Sequence, residues 1–160
     1  MGGRARGLRV GLIRSAFNAA VVEGLHSGAT RALLEMGVRE ADLVTVDVPG
    51  AFELPLAAQT LALSGRFDAL VALGAVIRGE TDHYEHIARE ASAGLAQVAR
   101  ETGIPVGFGL LTVREESQAR SRARPGAGNK GAEAARAAVA MASLLEGFKR
   151  RPQRTRARRR

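Results

Sequence analysis

The stretch ALVALGAVI, residues 69–77, decides the fold, because it places nine uncharged, mostly apolar residues in one short run. A run of this length and composition predicts a strand that is buried on both faces. Three further runs have the same character: LRVGLI at 8–13, LVTVDV at 43–48 and IPVGFGLLTV at 104–113. We therefore predict four buried strands.

The stretches between these strands have apolar residues at intervals of three or four, which is the helical spacing. The clearest example is 19–37, where Asn18 is the predicted N-cap and Gly37 the predicted stop. The same reasoning predicts helices over 51–64, 83–102, 115–123 and 128–148. Because strands and helices alternate, we expect an α/β fold in which helices cover both faces of a parallel sheet.

The composition limits the class of protein. With 160 residues, 46% of them hydrophobic and 25% charged, we expect a soluble chain with one domain at 8–148 after a flexible N-terminus at 1–7. The absence of cysteine excludes disulfides, thiolate nucleophiles and cysteine-ligated zinc. We find no signal peptide or long apolar segment, so a cytoplasmic location is expected.

The net charge of +8 resides in the segment KRRPQRTRARRR, residues 149–160. This segment has eight basic residues of the chain's 24, and the 16 that remain equal the 16 acidic ones. Such a tail is predicted to be disordered, and it would attract RNA or another polyanion without sequence specificity. An RNA-associated protein is the functional alternative that rests on this tail, but we do not expect specific nucleic-acid binding.

Unusual polar and aromatic residues follow the first three strands. Phe17 and Asn18 come after the first, Phe52 and Glu53 after the second, and Arg78, Thr81 and His83 after the third. Open parallel sheets bind ligands beyond the carboxyl ends of their strands. These residues should therefore meet in one crevice.

The turn RGETDH, residues 78–83, leads from a strand into a helix, so the N–H groups near Gly79, Glu80 and Thr81 are candidates for binding an anion. The alternative is that Thr81 or Asp82 simply caps the helix. His83 follows at the helix start, where an imidazole can transfer protons near neutral pH, although a surface role is the simpler alternative. The spacing of His83 and His86 does not favour a metal site.

Aromatic and acidic residues near the strand ends have two interpretations each. Phe17, at a strand end, is a candidate for stacking on a flat heterocycle, and core packing is the alternative for both Phe17 and Phe108. Glu53 is a candidate for binding hydroxyl or amine groups, or for stabilising a first helical turn. Arg120, Arg122 and Arg124 are candidates for binding phosphate, or form an ordinary solvated face.

The segment GAGNKG, residues 126–131, matches the pattern of a dinucleotide-binding loop, but it follows a helix and not a strand. We therefore predict a turn between two helices, with Lys130 as a candidate anion contact.

Taken in order, six strings resemble the lumazine synthase family over about residues 8–148: AFN, VPGAFELP, GAVIRGETDHYEHI, GIPVGFGLLT, QARSRA and AGNKGAEAA. The resemblance implies a three-layer α/β/α, flavodoxin-like fold with a four-stranded parallel sheet. It also implies condensation of 5-amino-6-(D-ribitylamino)uracil with 3,4-dihydroxy-2-butanone 4-phosphate to 6,7-dimethyl-8-ribityllumazine, in riboflavin biosynthesis, with no metal or organic cofactor.

The resemblance assigns roles by motif. Phe17 is expected to stack on the pyrimidine, with the ribityl chain along Ala51, Phe52 and Glu53, and with Val76 and Ile77 near the ring. Gly79, Glu80 and Thr81 match the phosphate-binding turn, and His83 the residue that transfers protons. A neighbouring subunit is expected to supply Phe108, Arg122 and Lys130.

The sequence departs from the family pattern near its end, because Ser121 replaces an acidic residue and Pro125–Gly126 replace a threonine–lysine pair. The family forms pentamers that stay single, pair or close into an icosahedral shell, so a homopentamer is expected and a shell is permitted. The alternative function is a flavin- or lumazine-binding or shell-forming paralogue without catalysis. No membrane partner is expected.

Overall fold

The computed structural model describes residues 5–149 of the chain. The predicted tail falls outside the described residues apart from Lys149, and so do residues 1–4 of the predicted flexible N-terminus. Ala5, within that N-terminal segment, is fully buried in the core. Among the described residues no helix is long and apolar enough to cross a bilayer.

Four parallel strands form one sheet in the order β2-β1-β3-β4. Strand and helix alternate as predicted, and two further helices follow the last strand. The elements are β1 Val10–Ser15, α1 Ala19–Glu35, β2 Leu43–Val48, α2 Leu54–Leu63, β3 Ala69–Ile77, α3 His83–Thr102, β4 Val106–Val113, α4 Glu116–Ala123 and α5 Lys130–Lys149, with short 3-10 turns at Glu40–Asp42 and Ala51–Glu53.

The sheet separates two hydrophobic clusters, which confirms the three-layer arrangement. Buried side chains of α1, α4 and α5 pack on one face of the sheet. Those of α2 and α3 pack on the other face. On the first face α5 crosses α1 very closely, because a Cβ at Gly131 would overlap the carbonyl oxygen of Leu25.

The central strand β3 is buried along almost its whole length, as its sequence predicts. The prediction that β2 is buried is wrong, since its residues are half-buried or exposed. The reason is topological: β2 pairs with β1 alone and forms an edge of the sheet in this chain. A run of β-branched residues indicates a strand, but it does not reveal whether a neighbour covers it.

Several predicted boundaries are wrong by a few residues. Strand β1 spans Val10–Ser15, where 8–13 was predicted, because its pairing with β2 continues to Ser15 and Val48. The strand predicted at 104–113 begins only at Val106, directly after Pro105. The helix predicted over 51–64 is a 3-10 turn followed by α2, with Pro55 in the first turn of that helix. The last helix lies over Lys130–Lys149, where 128–148 was predicted.

Candidate active site

A cavity of about 410 Å³ opens at the carboxyl ends of β1 and β3. These two strands are neighbours in the sheet although β2 lies between them in sequence, so the strand order reverses here. Such a switch point leaves a crevice in which α/β proteins bind ligands. The residues that line the cavity are Phe17, Asn18, Gly50, Ala51, Phe52, Glu53, Ala75, Val76, Ile77, Gly79, Thr81, His83, Tyr84 and Ile87.

Nine of the predicted site residues line this one cavity. They come from three segments that are far apart in sequence: the turn after β1, the 3-10 turn after β2, and the stretch that leads from the end of β3 into the start of α3. The nine are Phe17, Ala51, Phe52, Glu53, Val76, Ile77, Gly79, Thr81 and His83. Glu80 is exposed and lies in the same turn, but it does not line the cavity, and neither does Arg78.

The turn after β1 presents Phe17 to the cavity with 69% of its surface exposed. Core packing, the alternative interpretation of this residue, is therefore excluded in the chain by itself. The next residue, Asn18, occupies the N-cap position of α1, as predicted, but its side chain makes no cap bond. Its Nδ2 donates to the carbonyl oxygen of Ala75 on β3 at 2.8 Å.

The turn after β2 supplies Ala51, Phe52 and Glu53. Gly50 is extended, and the N–H of Glu53 donates to its carbonyl oxygen at 3.2 Å. A Cβ at position 50 would lie 3.2 Å from Glu53 Oε2 and 3.3 Å from the Phe17 ring. The absence of a side chain at Gly50 thus leaves room for both the aromatic ring and the carboxylate beside this turn.

The start of α3 combines an open helix end with His83. Asp82 occupies the N-cap position without a side-chain cap bond. Thr81 Oγ1 accepts a long hydrogen bond of 3.4 Å from the N–H of His83. Of the two capping alternatives, Thr81 is therefore the one that makes a contact, and a weak one. The N–H groups of this first turn remain suited to an anion in the cavity.

The two histidines of α3 differ in position. Both side chains are exposed, and of the two only His83 lines the cavity. Within residues 5–149 no three His, Asp or Glu side chains are grouped so that they would hold a metal ion. The chemistry that the cavity offers is thus proton transfer at His83 beside an aromatic ring, a carboxylate and a helix N-terminus.

Sequence reasoning missed Tyr84 and Ile87 as cavity residues. Both lie on the face of α3 that carries His83, and both pack partly against the apolar cluster beneath the cavity. The spacing of 83, 84 and 87 on a predicted helix contained that signal. The backbone contribution of Gly50 was missed too, and only the contacts across the turn reveal it.

Besides Glu80, three predicted site residues do not line the cavity of their own chain: Phe108, Arg122 and Lys130. Phe108 lies on the edge strand β4 and is 52% exposed. Arg122 lies on α4, where its Nη1 donates to the carbonyl oxygen of Gln118 at 3.0 Å. Lys130 begins α5 and pairs with Glu133 at 2.8 Å.

The predicted turn between α4 and α5 is present at residues 124–129, and the last two residues of the segment 126–131 already belong to α5. The residue that fixes this turn is Asn129, which is 1% exposed. Its Nδ2 lies within hydrogen-bonding distance of the carbonyl oxygens of Gly24, Ala123 and Arg124, and its Oδ1 accepts from the N–H of Ala132. Asn129 thus joins α1, α4 and α5, and sequence reasoning did not single it out.

The departures from the family pattern fit this turn. Ser121 Oγ donates to the carbonyl oxygen of Gln118 at 3.1 Å, within α4 itself. Pro125 and Gly126 follow the helix end, and Gly126 has a φ of 116°, which favours glycine. The turn therefore closes without the residues that Ser121, Pro125 and Gly126 replace.

Comparison with known proteins agrees with this geometry. The family model described as 6,7-dimethyl-8-ribityllumazine synthase matches residues 7–146. A protein of Nitrosomonas europaea named 6,7-dimethyl-8-ribityllumazine synthase is 52% identical over 139 residues, which cover 87% of this chain and 82% of that protein. The chain therefore belongs to the lumazine synthase family, the transferases that form 6,7-dimethyl-8-ribityllumazine in riboflavin biosynthesis.

Proposed function

We propose that the cavity between β1 and β3 is where this chain condenses 5-amino-6-(D-ribitylamino)uracil with 3,4-dihydroxy-2-butanone 4-phosphate. The observation that carries the proposal is the convergence of nine family-matched residues from three distant segments on one cavity. A cavity of about 410 Å³ is within the range that binds small molecules.

The pyrimidine substrate fits the side of the cavity that is formed by β1, β3 and the turn after β2. The exposed ring of Phe17 offers a flat apolar face on which a heterocycle stacks. Glu53 provides carboxylate oxygens that accept hydrogen bonds from the ribityl hydroxyl groups, together with the backbone of Ala51 and Phe52. Val76 and Ile77 form the apolar floor at the end of β3.

The phosphorylated ketone fits the side formed by the start of α3. Its phosphate group is placed at the N–H groups of the turn from Gly79 through Glu80 to Thr81, where the helix dipole favours negative charge. The ketone carbon then faces the pyrimidine amine, close to His83. Holding both reactants in one cavity contributes much of the acceleration.

The chemistry consists of proton transfers around one condensation. The amine attacks the ketone and water leaves to give an imine, inorganic phosphate is then eliminated, and the second amine closes the ring with loss of another water. His83 is the proposed general acid and base for these transfers. Arg122 is the proposed cation that compensates the charge of the departing phosphate.

A second copy of the chain is proposed to complete the site, since Phe108, Arg122 and Lys130 do not line the cavity of their own chain. Exposed apolar side chains at Phe52, Leu56, Leu63 and Phe108 support such an interface. We propose a homopentamer with one site at each interface. Its substrates are polar, charged metabolites, and we place the enzyme in the cytoplasm.

The test is formation of the fluorescent lumazine from the two substrates, compared with the spontaneous reaction without protein. The proposal expects a turnover far above that background, together with a mass in solution of five subunits or a multiple of five. A protein that binds lumazine or riboflavin but forms no product would support the alternative, a binding paralogue without catalysis. A monomer with full activity would contradict the shared site.

A further inference from the structure

Asn18 has a backbone conformation that few residues adopt. Its φ of 58° and ψ of 49° place it in the left-handed region, and within residues 5–149 it is the one non-glycine residue with a positive φ. Asparagine reaches this region more readily than most residues, but at some cost. Such a conformation persists where surrounding contacts fix it, and these positions concentrate at functional sites.

The contact that fixes Asn18 joins β1 to β3. The backbone ladder between these strands ends at the pair Arg14 and Leu73, and Ala16 N–H already bonds to Val48 on the other side. Beyond that point the Asn18 side chain replaces the missing backbone donor, because its Nδ2 donates to Ala75 at 2.8 Å. The side chain therefore spans the opening between the strands, and both Asn18 and Ala75 line the cavity.

Phe17 directly precedes Asn18, whose side chain makes this hydrogen bond to Ala75. With 69% of its surface exposed, its ring is not fixed by core packing. The ring lies beside Gly50, where an added Cβ would be 3.3 Å from it. The direction in which Phe17 points is therefore set by the backbone at position 18.

We propose that Asn18 is a positioning residue for the pyrimidine substrate: its left-handed backbone and its hydrogen bond to Ala75 hold Phe17 in the orientation that stacks on the heterocycle. This inference rests on the proposed function of the cavity. Asn18 acts through Phe17 and takes no part in proton transfer.

The competing explanation is that Asn18 only starts α1, and two substitutions separate the explanations. Asn18→Gly keeps the left-handed backbone at low cost and removes the amide. Asn18→Asp also tolerates this backbone, and its carboxylate at the N-terminus of α1, whose first turn has no acidic residue, stabilises the helix. The carboxylate cannot donate to the carbonyl oxygen of Ala75, so the hydrogen bond between residue 18 and Ala75 is lost in both variants.

The experiment measures KM for each substrate, kcat, the dissociation constant of ribitylaminouracil alone and the melting temperature. Loss of one hydrogen bond predicts a rise of about 3- to 10-fold in KM and dissociation constant for the pyrimidine in both variants. KM for the phosphorylated ketone should stay within about 2-fold, and Asn18→Asp should melt no lower than wild type. Gln97→Ala is the matched control, because it removes an exposed hydrogen bond from a side-chain amide to Glu101 on α3.

A double-mutant cycle decides whether the effect passes through Phe17. In a Phe17→Ala background, Asn18→Asp should change the dissociation constant of the pyrimidine by less than about 2-fold. If Asn18→Asp changed the dissociation constant as much in the Phe17→Ala background as in wild type, the proposal would be overturned. Unchanged pyrimidine binding in the single variants at position 18 would also overturn it. If wild type binds the pyrimidine but forms no lumazine, the proposed catalysis fails, while the binding constants still test Asn18.

Discussion

The two halves of the proposed site are built by different parts of the fold. Phe17, Glu53, Val76 and His83 lie at the carboxyl edge of the sheet and meet in one cavity. Phe108, Arg122 and Lys130 lie on β4, α4 and α5 and do not line that cavity. Ends of adjacent parallel strands converge in space, whereas residues on the edge strand and on the helices that follow it lie away from that convergence. One chain therefore carries both halves without joining them.

The halves also differ in how they are held. The turn that precedes Lys130 is fixed by the buried side chain of Asn129, which bonds to three helices. The cavity half depends on the strained backbone of Asn18 and on an exposed aromatic ring. The half that would reach a partner is thus preformed, and the half that receives substrate is the more easily disturbed.

The largest effect is expected when each half of the site is inactivated in a separate variant and the two variants are then assembled into mixed rings. Arg122→Ala should lower kcat/KM by about 100-fold or more, because it removes the cation that is proposed to stabilise the departing phosphate. Arg122→Ala and His83→Ala subunits, unfolded and reassembled together at equal amounts, should regain activity, since about one interface in four then joins two intact halves in a random ring. Steady-state turnover of the mixture measures this. Mixed rings no more active than the two parents would place both halves in one chain.

A second prediction compares two histidines one helical turn apart. His83→Ala should lower kcat by about 100-fold or more, the range that a general acid or base contributes. His86→Ala is the matched control, since His86 is exposed outside the cavity, and it should stay within about 2-fold. Binding of ribitylaminouracil should survive in both variants. Equal turnover of the two variants would remove the proton-transfer role from His83.

A third prediction concerns stability. Asn129→Ala leaves the carbonyl groups of Gly24, Ala123 and Arg124 without this donor in a buried place, which costs about 1–3 kcal/mol. The melting temperature should fall by about 2–12 °C. Gln97→Ala, at an exposed amide, should change it by less than about 2 °C. A similar small change for Asn129→Ala would show that the turn is held by other contacts.

The smallest effect is expected far from the cavity, at the contact between α1 and the edge strand. His26 Nε2 lies 2.9 Å from Thr45 Oγ1. Burial, followed by the nearby Arg14, lowers the pKa of His26, while Glu23 and Asp47 oppose that shift. Because the folded pKa is below the ordinary value of about 6.5, the full stability is present above that pH and falls as the pH drops below it.

His26→Gln removes the titrating ring and keeps an amide near Thr45. The urea midpoint of wild type should therefore fall more steeply between pH 7.5 and pH 5.5 than the midpoint of this variant. Parallel pH profiles for the two proteins would mean that His26 protonates equally well in the folded and unfolded chain.

Local sequence patterns predicted the fold well where an apolar run has clear borders on both sides. The bounds of β2, β3 and α3 match the predicted ranges, since their apolar runs are bordered by polar or glycine-containing turns. Burial of β2 was not predictable, because pairing partners are set by topology. The side chain of Asn18 bonds to a strand 57 residues away, which no N-cap pattern contains.

The candidate site was predictable in part for the same reason. Strand ends can be read from the sequence, so the meeting of Phe17, Glu53 and His83 followed from the parallel order of the strands. The role of Asn129 was hidden, because an asparagine that follows a glycine is typical of any turn. Its importance depends on close approach of α1, α4 and α5, which only the packed structure reveals.

The end of α5 has a practical consequence for engineering this chain. The groove near its last turns is lined by Leu144 and Gly147 together with Arg9 and Asp68, which directly precede β1 and β3. Lys149 thus follows helix turns at the amino edge of the sheet, opposite the cavity. A tag, a fluorescent reporter or a cargo peptide attached after Lys149 should therefore leave substrate access and turnover intact.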